Sequence, residues 1–420
     1  MITLAPSKPT GEITVPASKS QTIRALLIAC FSREKSIIRH PLLSHDTEAC
    51  LKAVRQIGAE CFVAEDGSEI RVDATGIVLP ESLTIDAQNS GTTEYLLVPM
   101  AASLGIPVTI TGDEQLRSRP VGPLAAALKD LGCEAEATDG KPPLYLKGPI
   151  KGGKTVIECR TSQYLSGLLL GSALGEGDTE IECSLLYEKP YVSLTLGWLR
   201  RQGIDFTITD DYMVSRVKGG QRYHGFDEFI NGDWSSASFF LCMAAMGGGP
   251  VTVRGLDRDD PQGDKAILDV LSAMGAEHSW DGNAVTVWRN GPLKPGVFDL
   301  NAIPDTLPAL AVTAACIDGT TVLGNVPQAR IKETDRISCM RAELMRLGVD
   351  CEETEDSLII HGAGKVSGGE VKGYGDHRII MALASLSAFA DSPITIDEEK
   401  AAAITFPSFF NLFDSIRSER

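Results

Sequence analysis

Lys332-Glu333-Thr334-Asp335-Arg336 packs two cations and two carboxylates into five positions. A carboxylate held among cations can act as a general acid or base where its geometry suits, and the cations can grip an anion. Comparable residues recur along the chain. Lys19 and Arg24, Arg160, and His377-Arg378 stand at the polar starts of long apolar runs, and Asp305 opens another. Such starts read as helix N-termini, where Ser, Thr, Asn or Asp caps free backbone N–H groups. Capping accounts for the hydroxyls and for Asp305. It does not account for the cations, because a helix N-terminus already carries partial positive charge and an added Lys or Arg costs energy unless an anion binds. The expected ligand is a small, multiply charged anion. The run from Lys332 could also be a solvated helix face, but it falls between two apolar helices of one domain, where a connecting loop can reach a site.

The elements that carry these residues repeat. Six helices apolar on nearly every face begin near Ser20, Gly91, Ser162, Ser235, Asp305 and Asp376, at steps of 71, 71, 73, 70 and 71 residues. Helices apolar all round belong inside a domain. Five amphipathic helices end at Gly58, Gly132, Gly203, Gly275 and Gly348, and each Gly can take the positive φ that stops a helix. Acidic turns and alternating strands such as Ala284-Val285-Thr286-Val287 follow them. The unit is about 71 residues of α/β chain, repeated six times. The last amphipathic helix, Phe406 to Ile416, has no hairpin after it. Residues 1–15, with two short strands around Pro9-Thr10-Gly11, are expected to complete that sixth unit. Three units over 18–230 make one domain, and 1–17 with 231–420 make the other, so the chain crosses twice. The start at Asp233-Trp234-Ser235-Ser236 is expected to be a cap beside the crossover.

Bulk properties narrow the partners. With 39 basic and 56 acidic residues among 420, a net charge of −17 disfavours nucleic acid and anionic membrane. No run is long enough for a membrane span, and Met1-Ile2-Thr3-Leu4-Ala5-Pro6 lacks the features of a signal peptide, so a cytoplasmic location is expected. The ten cysteines are scattered with no metal-ligand spacing and read as reduced, mostly buried residues.

Lys19-Ser20 with Arg24, Asn89-Ser90-Gly91-Thr92-Thr93, Arg119-Pro120, Ser162-Gln163, Lys332 to Arg336 and Asp376-His377-Arg378 together resemble the 5-enolpyruvylshikimate-3-phosphate (EPSP) synthase family, in order and along the whole chain. The resemblance implies two domains of three βαβαββ units, an inside-out α/β barrel arrangement with the active site in the cleft, which substrates would draw closed. It implies transfer of the enolpyruvyl group of phosphoenolpyruvate to the 5-hydroxyl of shikimate 3-phosphate, with loss of phosphate and no metal or organic cofactor. Lys19, Gly91, Arg119, Gln163, Arg336, His377 and Arg378 would hold phosphoenolpyruvate. Lys19, Ser20, Arg24, Thr161, Ser162, Gln163, Tyr191, Asp305, Gln328 and Lys332 would hold shikimate 3-phosphate. Asp305 would accept the 5-hydroxyl proton, and Glu333 with Lys19 would protonate the methylene carbon. The family also implies a monomer.

Three positions depart from the family pattern. Tyr95 and Ile404 stand where Arg and Lys are common. Glu188 stands where a Ser often meets the shikimate phosphate, and a carboxylate there would repel that group unless it turned away or paired with Lys189. Two related enzymes and an inactive homologue are the rivals. The sister transferase acting on UDP-N-acetylglucosamine usually carries a reactive Cys in a mobile loop, and residues 112–120 contain none. The RNA 3′-phosphate cyclase would favour a basic surface. An inactive anion-binding homologue is disfavoured by the presence of Asp305, Glu333, Lys19 and three arginines.

Overall fold

The computed structural model describes residues 1–247 and 249–419, with the side chains of Ser418 and Glu419 outside the description. Inner helices form at Lys19–Ser32, Gly91–Ala101, Ser162–Ala173, Trp234–Gly247, Leu307–Ala315 and His377–Ser387. They are rich in Ala, Leu, Ile and small residues and nearly wholly buried, so their only polar ends are the turns that begin them. Ser18, Ser90, Thr161 and Asp376 accept from backbone N–H groups two or three residues on and cap four of the six. Asp233 caps the fourth, accepting from the Ser236 N–H at 3.2 Å while its own N–H donates to the Pro16 carbonyl, beside the crossover.

The chain divides into two compact units, residues 17–230 and residues 1–16 with 231 onward. In the first, three four-stranded sheets share one pattern. In the sheet of Leu83–Asp86, Val108–Thr111, Lys141–Lys147 and Glu134–Thr138, the first two strands are parallel and the last two form an antiparallel hairpin. An inner helix joins the parallel pair, and an amphipathic helix leads on to the hairpin. The glycines that end the amphipathic helices, Gly58, Gly132 and Gly203, all have positive φ, as do Gly275 and Gly348 in the second unit. Small residues also set the spacing of inner helices. A Cβ on Gly167 would lie 2.2 Å from the Tyr95 carbonyl oxygen, and one on Gly171 2.5 Å from the Pro99 carbonyl, so only glycine lets Ser162–Ala173 approach Gly91–Ala101. That approach fixes two helix starts side by side.

The second unit repeats the pattern twice and modifies it once. Its full sheets are Gly11–Thr14 with Val251–Arg254, Ala284–Trp288 and Glu277–Asp281, and Val297–Asp299 with Asp318–Gly324, Leu358–Ala363 and Asp350–Glu353. Strands are exchanged at the crossing: Gly11–Thr14 precedes the first inner helix in sequence yet pairs with Val251–Arg254, and Asp227–Phe229 precedes the fourth yet pairs with Lys35–Arg39. The expectation that the N-terminal segment completes the sixth unit is met in part. The segment holds three strands, and only Ile2–Leu4 joins the sixth sheet, beside Ile394–Ile396. Ser7–Pro9 instead pairs with Arg417–Glu419, a strand that follows the final helix. That helix is shorter than expected, Phe409–Ser415, because Pro407 separates it from Phe406. Phe406 and Phe409 pack on Phe240 of the fourth inner helix, with ring centroids 6.0 and 5.6 Å away.

Candidate active site

The residues expected to bind or react fall into two clusters, one in each compact unit. In the unit of residues 17–230, Lys19 opens the first inner helix and donates to Asp46 Oδ2 at 2.9 Å. Asp46 lies in the first turn of the helix His45–Ile57 and is buried. Arg24, one turn beyond Ser20, is itself buried and committed within the fold. Its guanidinium donates to the Ser20 carbonyl, Thr195 Oγ1 and the Tyr191 carbonyl at 2.9, 2.9 and 3.2 Å, and burial pulls its pKa down to about 10. Arg24 thus fixes the backbone at Ser20 and Tyr191 relative to each other.

Arg119 lies over the second helix start. Its Nη2 donates to Asn89 Oδ1 at 2.9 Å, and a Cβ on Gly91 would come 2.8 Å from its Nη1. Gly91 leaves room for this guanidinium. Tyr95, in place of the usual Arg, packs edge-on against Tyr164 with centroids 5.2 Å apart. Its neighbour Glu94 was not singled out from the sequence. It is wholly buried, neither carboxyl oxygen has a hydrogen-bond partner, and burial pushes the carboxyl up to about 8 against the opposing charge of Arg119.

The third start is occupied by a side chain of the protein itself. Glu188 Oε2 accepts from Ser162 Oγ at 3.0 Å, from the Ser162 N–H at 3.3 Å and from Thr161 Oγ1 at 3.4 Å. The carboxylate does not turn away from this site: it points inward, to the N–H of the helix start, which favours an anion. The charge of Lys189 bears on Asp211, whose carboxyl is held low by Thr209, Met213 and, to a lesser degree, that lysine. Gln163 reaches back to Thr161 Oγ1 at 3.4 Å. Arg160 pairs with Glu158 at 2.8 Å.

In the other unit, Asp305, Lys332, Glu333, Arg336, His377 and Arg378 converge from three separate segments. Arg336 is the hub. Its guanidinium meets Asp305 Oδ1 at 2.9 Å, Glu333 Oε2 at 2.5 Å and Asp376 Oδ2 at 2.8 Å while almost fully buried. Arg378 holds the other oxygen of Asp305 at 2.8 Å, and Lys332 Nζ lies 3.9 Å from Asp305 Oδ1. Burial pushes the Asp305 carboxyl up, but Arg378, Lys332 and Arg336 outweigh it and hold the group far below the usual carboxylate range. Burial likewise opposes the charge of Arg336, and Asp376, Glu333 and Asp305 overcome it.

One expectation for this cluster changes. Asp305 is not a cap: it lies in a 3₁₀ turn, Pro304–Thr306, and its carboxylate bridges two arginines. Arg336 opens the amphipathic helix Arg336–Arg346, between two inner helices, with Asp335 as its cap. The mixed run divides its duties accordingly. Asp335 accepts from the Ser338 N–H at 3.0 Å and pairs with Arg330 at 2.6 Å, leaving Glu333 to face Arg336. His377 is fully buried at the start of the sixth inner helix, Gln328 donates to the Asn301 carbonyl at 3.0 Å, and Ile404 ends a separate turn, Glu399–Ile404. Sequence reasoning overlooked Asp46, in the first turn of the helix after the one Lys19 opens, and the ionic role of Asp376, a helix cap that pairs with Arg336 from another segment.

All ten cysteines are free, and among the described residues no helix is long and apolar enough to cross a membrane. A family model described as EPSP synthase (3-phosphoshikimate 1-carboxyvinyltransferase) matches residues 4–413. A 3-phosphoshikimate 1-carboxyvinyltransferase of Acetivibrio thermocellus is 42% identical over 408 residues, 96% of this chain and 95% of the relative. That of Ruminiclostridium cellulolyticum is 42% identical over 401 residues, 95% of this chain and 94% of the relative. A solved EPSP synthase of Acinetobacter baumannii superposes with a TM-score of 0.82 at 28% identity, covering 99% of this chain and 98% of that one. A likeness that runs nearly end to end in sequence, and returns the same architecture in space, leaves one assignment: the chain belongs to the EPSP synthase family.

Proposed function

We propose that the two clusters divide between them the family reaction, in which the enolpyruvyl group of phosphoenolpyruvate passes to the 5-hydroxyl of shikimate 3-phosphate on the route to aromatic amino acids. The helix starts of residues 17–230 are suited to oxyanions, since they present backbone N–H groups and hydroxyls at close range. Ser20, Thr161, Ser162 and Gln163, with Lys19, take the phosphate and ring oxygens of shikimate 3-phosphate. Arg24 positions Ser20 and Tyr191 for that purpose. Gln328 and Lys332 add contacts from the other unit. Lys19, Arg119, Gln163, Arg336 and Arg378 hold the carboxylate and phosphate of phosphoenolpyruvate, which planar guanidinium forks match well. Gly91 and His377 shape the space around it.

One observation carries the chemical part: Asp305 bridges Arg336 and Arg378 with Lys332 close by. In that state Asp305 is too stabilised as an anion to be an effective base. When phosphoenolpyruvate engages the same cations, their stabilisation of Asp305 falls and its proton affinity rises, which suits it to accept the 5-hydroxyl proton. The 5-oxygen then bonds to C2 of phosphoenolpyruvate while Glu333, which takes up a proton from solvent once the substrate engages Arg336, delivers that proton, aided by Lys19, to the methylene carbon. Loss of phosphate from this tetrahedral intermediate, with return of a proton from the methyl carbon, leaves the enolpyruvyl ether.

We place the working form as a monomer in the cytoplasm, and ten free cysteines fit a reducing compartment. Phosphate release tests the substrate assignment. We expect release with phosphoenolpyruvate plus shikimate 3-phosphate and none with UDP-N-acetylglucosamine as acceptor. The reverse preference would point to the sister enzyme, and binding of both substrates without release would point to an inactive homologue.

A further inference from the structure

We infer that Glu188 is a built-in competitor of the shikimate 3-phosphate phosphate group, holding the donors that group needs and setting the affinity for the phosphorylated substrate. The inference rests on the proposed role of Thr161 and Ser162 in binding that phosphate. Three donors from these two residues converge on one oxygen, Glu188 Oε2, at 3.0–3.4 Å. They are the donors that a phosphate oxygen at this helix start would use. The carboxylate and a substrate phosphate cannot share them: both are anions, and one set of N–H and O–H groups cannot serve both.

The local backbone supports a role directed at this neighbouring helix. Glu188 precedes the helix Lys189–Arg201 in the cap position, with φ 57° and ψ 40°, in the left-handed region that a residue with a Cβ seldom occupies. A side chain in that place ordinarily caps its own helix from an extended conformation. Glu188 makes no such bond to its own helix, and its buried carboxylate crosses to the start of Ser162–Ala173 instead. The turn delivers a negative charge to the N–H groups of another helix, where it acts as a stand-in for the substrate anion. Binding of shikimate 3-phosphate then requires this carboxylate to leave its donors, so part of the binding free energy is used to displace it.

The test compares Glu188→Gln, which keeps the shape and removes the charge, with Glu188→Ser, which clears the space, and uses Ser162→Ala as the control on the site. Steady-state kinetics with both substrates are combined with thermal unfolding with and without shikimate 3-phosphate, and with shikimate lacking the phosphate. Both Glu188 variants should lower KM for shikimate 3-phosphate by about tenfold, because hydrogen bonds to charged acceptors are among the stronger ones a ligand must replace. KM for phosphoenolpyruvate should stay within about twofold. The rise in Tm caused by shikimate 3-phosphate should grow, and that caused by shikimate should not. A merely structural cap would lower the Tm of the free protein and leave the discrimination between phosphorylated and unphosphorylated ligand unchanged.

Ser162→Ala separates the two ways to fail. If it raises KM for shikimate 3-phosphate while the Glu188 variants leave that KM unchanged or raise it, the phosphate binds here and competition by Glu188 is refuted. If Ser162→Ala leaves KM unchanged, the assignment of this helix start to the phosphate is refuted, and the inference with it. Should Glu188→Ser fail to fold, Glu188→Gln decides alone.

Discussion

The two clusters hold their polar groups in opposite ways. Around residues 17–230 the donors are mostly neutral, backbone N–H groups and the hydroxyls of Thr161 and Ser162, with Lys19 and Arg119 at the edges, held by Asp46 and Asn89. In the other unit Lys332, Arg336 and Arg378 face Asp305, Glu333 and Asp376 in an alternating ionic lattice. Neutral donors are cheap to bury and fix the shape of a ligand. An ionic lattice is costly to bury but can change its charge balance when an anion enters, as acid–base work requires. In the proposed mechanism one cluster recognises the substrates and the other transfers protons.

The sharpest way to break this contrast is to remove a central group from each side. Arg336→Met leaves three carboxylates, Asp376 fully buried and Asp305 and Glu333 partly so, without their shared cation and should cost about 3–5 kcal/mol of stability. Ser162→Ala, in the neutral cluster, should cost only about 1 kcal/mol. Denaturant unfolding measures both, and similar losses would erase the distinction.

Glu94 provides an effect of intermediate size and a definite pH signature. Its folded pKa, about 8, lies above that of an unfolded Glu, so the native state binds the extra proton between those values. Stability from this group is therefore intact below the unfolded pKa and falls as pH rises towards 8. Glu94→Gln should be more stable than the parent at pH 8, by on the order of 2 kcal/mol, and the gap should close near pH 4. Unfolding midpoints at the two pH values check this, and a pH-independent difference would contradict it.

The smallest effect is expected at Gly91. An added methyl would meet the far end of the Arg119 side chain, 2.8 Å away, which can shift without disturbing the helix. Gly91→Ala should raise KM for phosphoenolpyruvate by roughly tenfold while changing stability by less than about 1 kcal/mol. An unchanged KM would mean that Arg119 does not serve this substrate.

Much of this was legible in the sequence because it is written in periodicity. The inner helices had to begin near Ser20, Gly91, Ser162, Ser235, Asp305 and Asp376, where a wholly apolar run meets polar residues, and the glycines at 58, 132, 203, 275 and 348 had to stop the alternate helices. The mixed charges of 332–336 pointed to an ionic cluster through their place in the repeat, between two inner helices of one unit, because the same run elsewhere reads as a solvated helix face. Partners distant in sequence were not legible. Lys19 meets Asp46 and Arg24 meets Thr195 through the packing of separate elements. Strand exchange was hidden too, since Gly11–Thr14 has the same alternation whichever sheet receives it. Nothing in Tyr187-Glu188-Lys189-Pro190 signals a left-handed turn that sends a carboxylate to another helix.

The central claim is that Asp305 and Glu333 move the protons in the transfer, and steady-state phosphate release by Asp305→Asn and Glu333→Gln with both substrates tests it most directly. Each variant should lose a factor of about 10²–10⁴ in turnover, the usual worth of a positioned acid or base. Turnover within about tenfold of the parent for both variants would contradict the assignment.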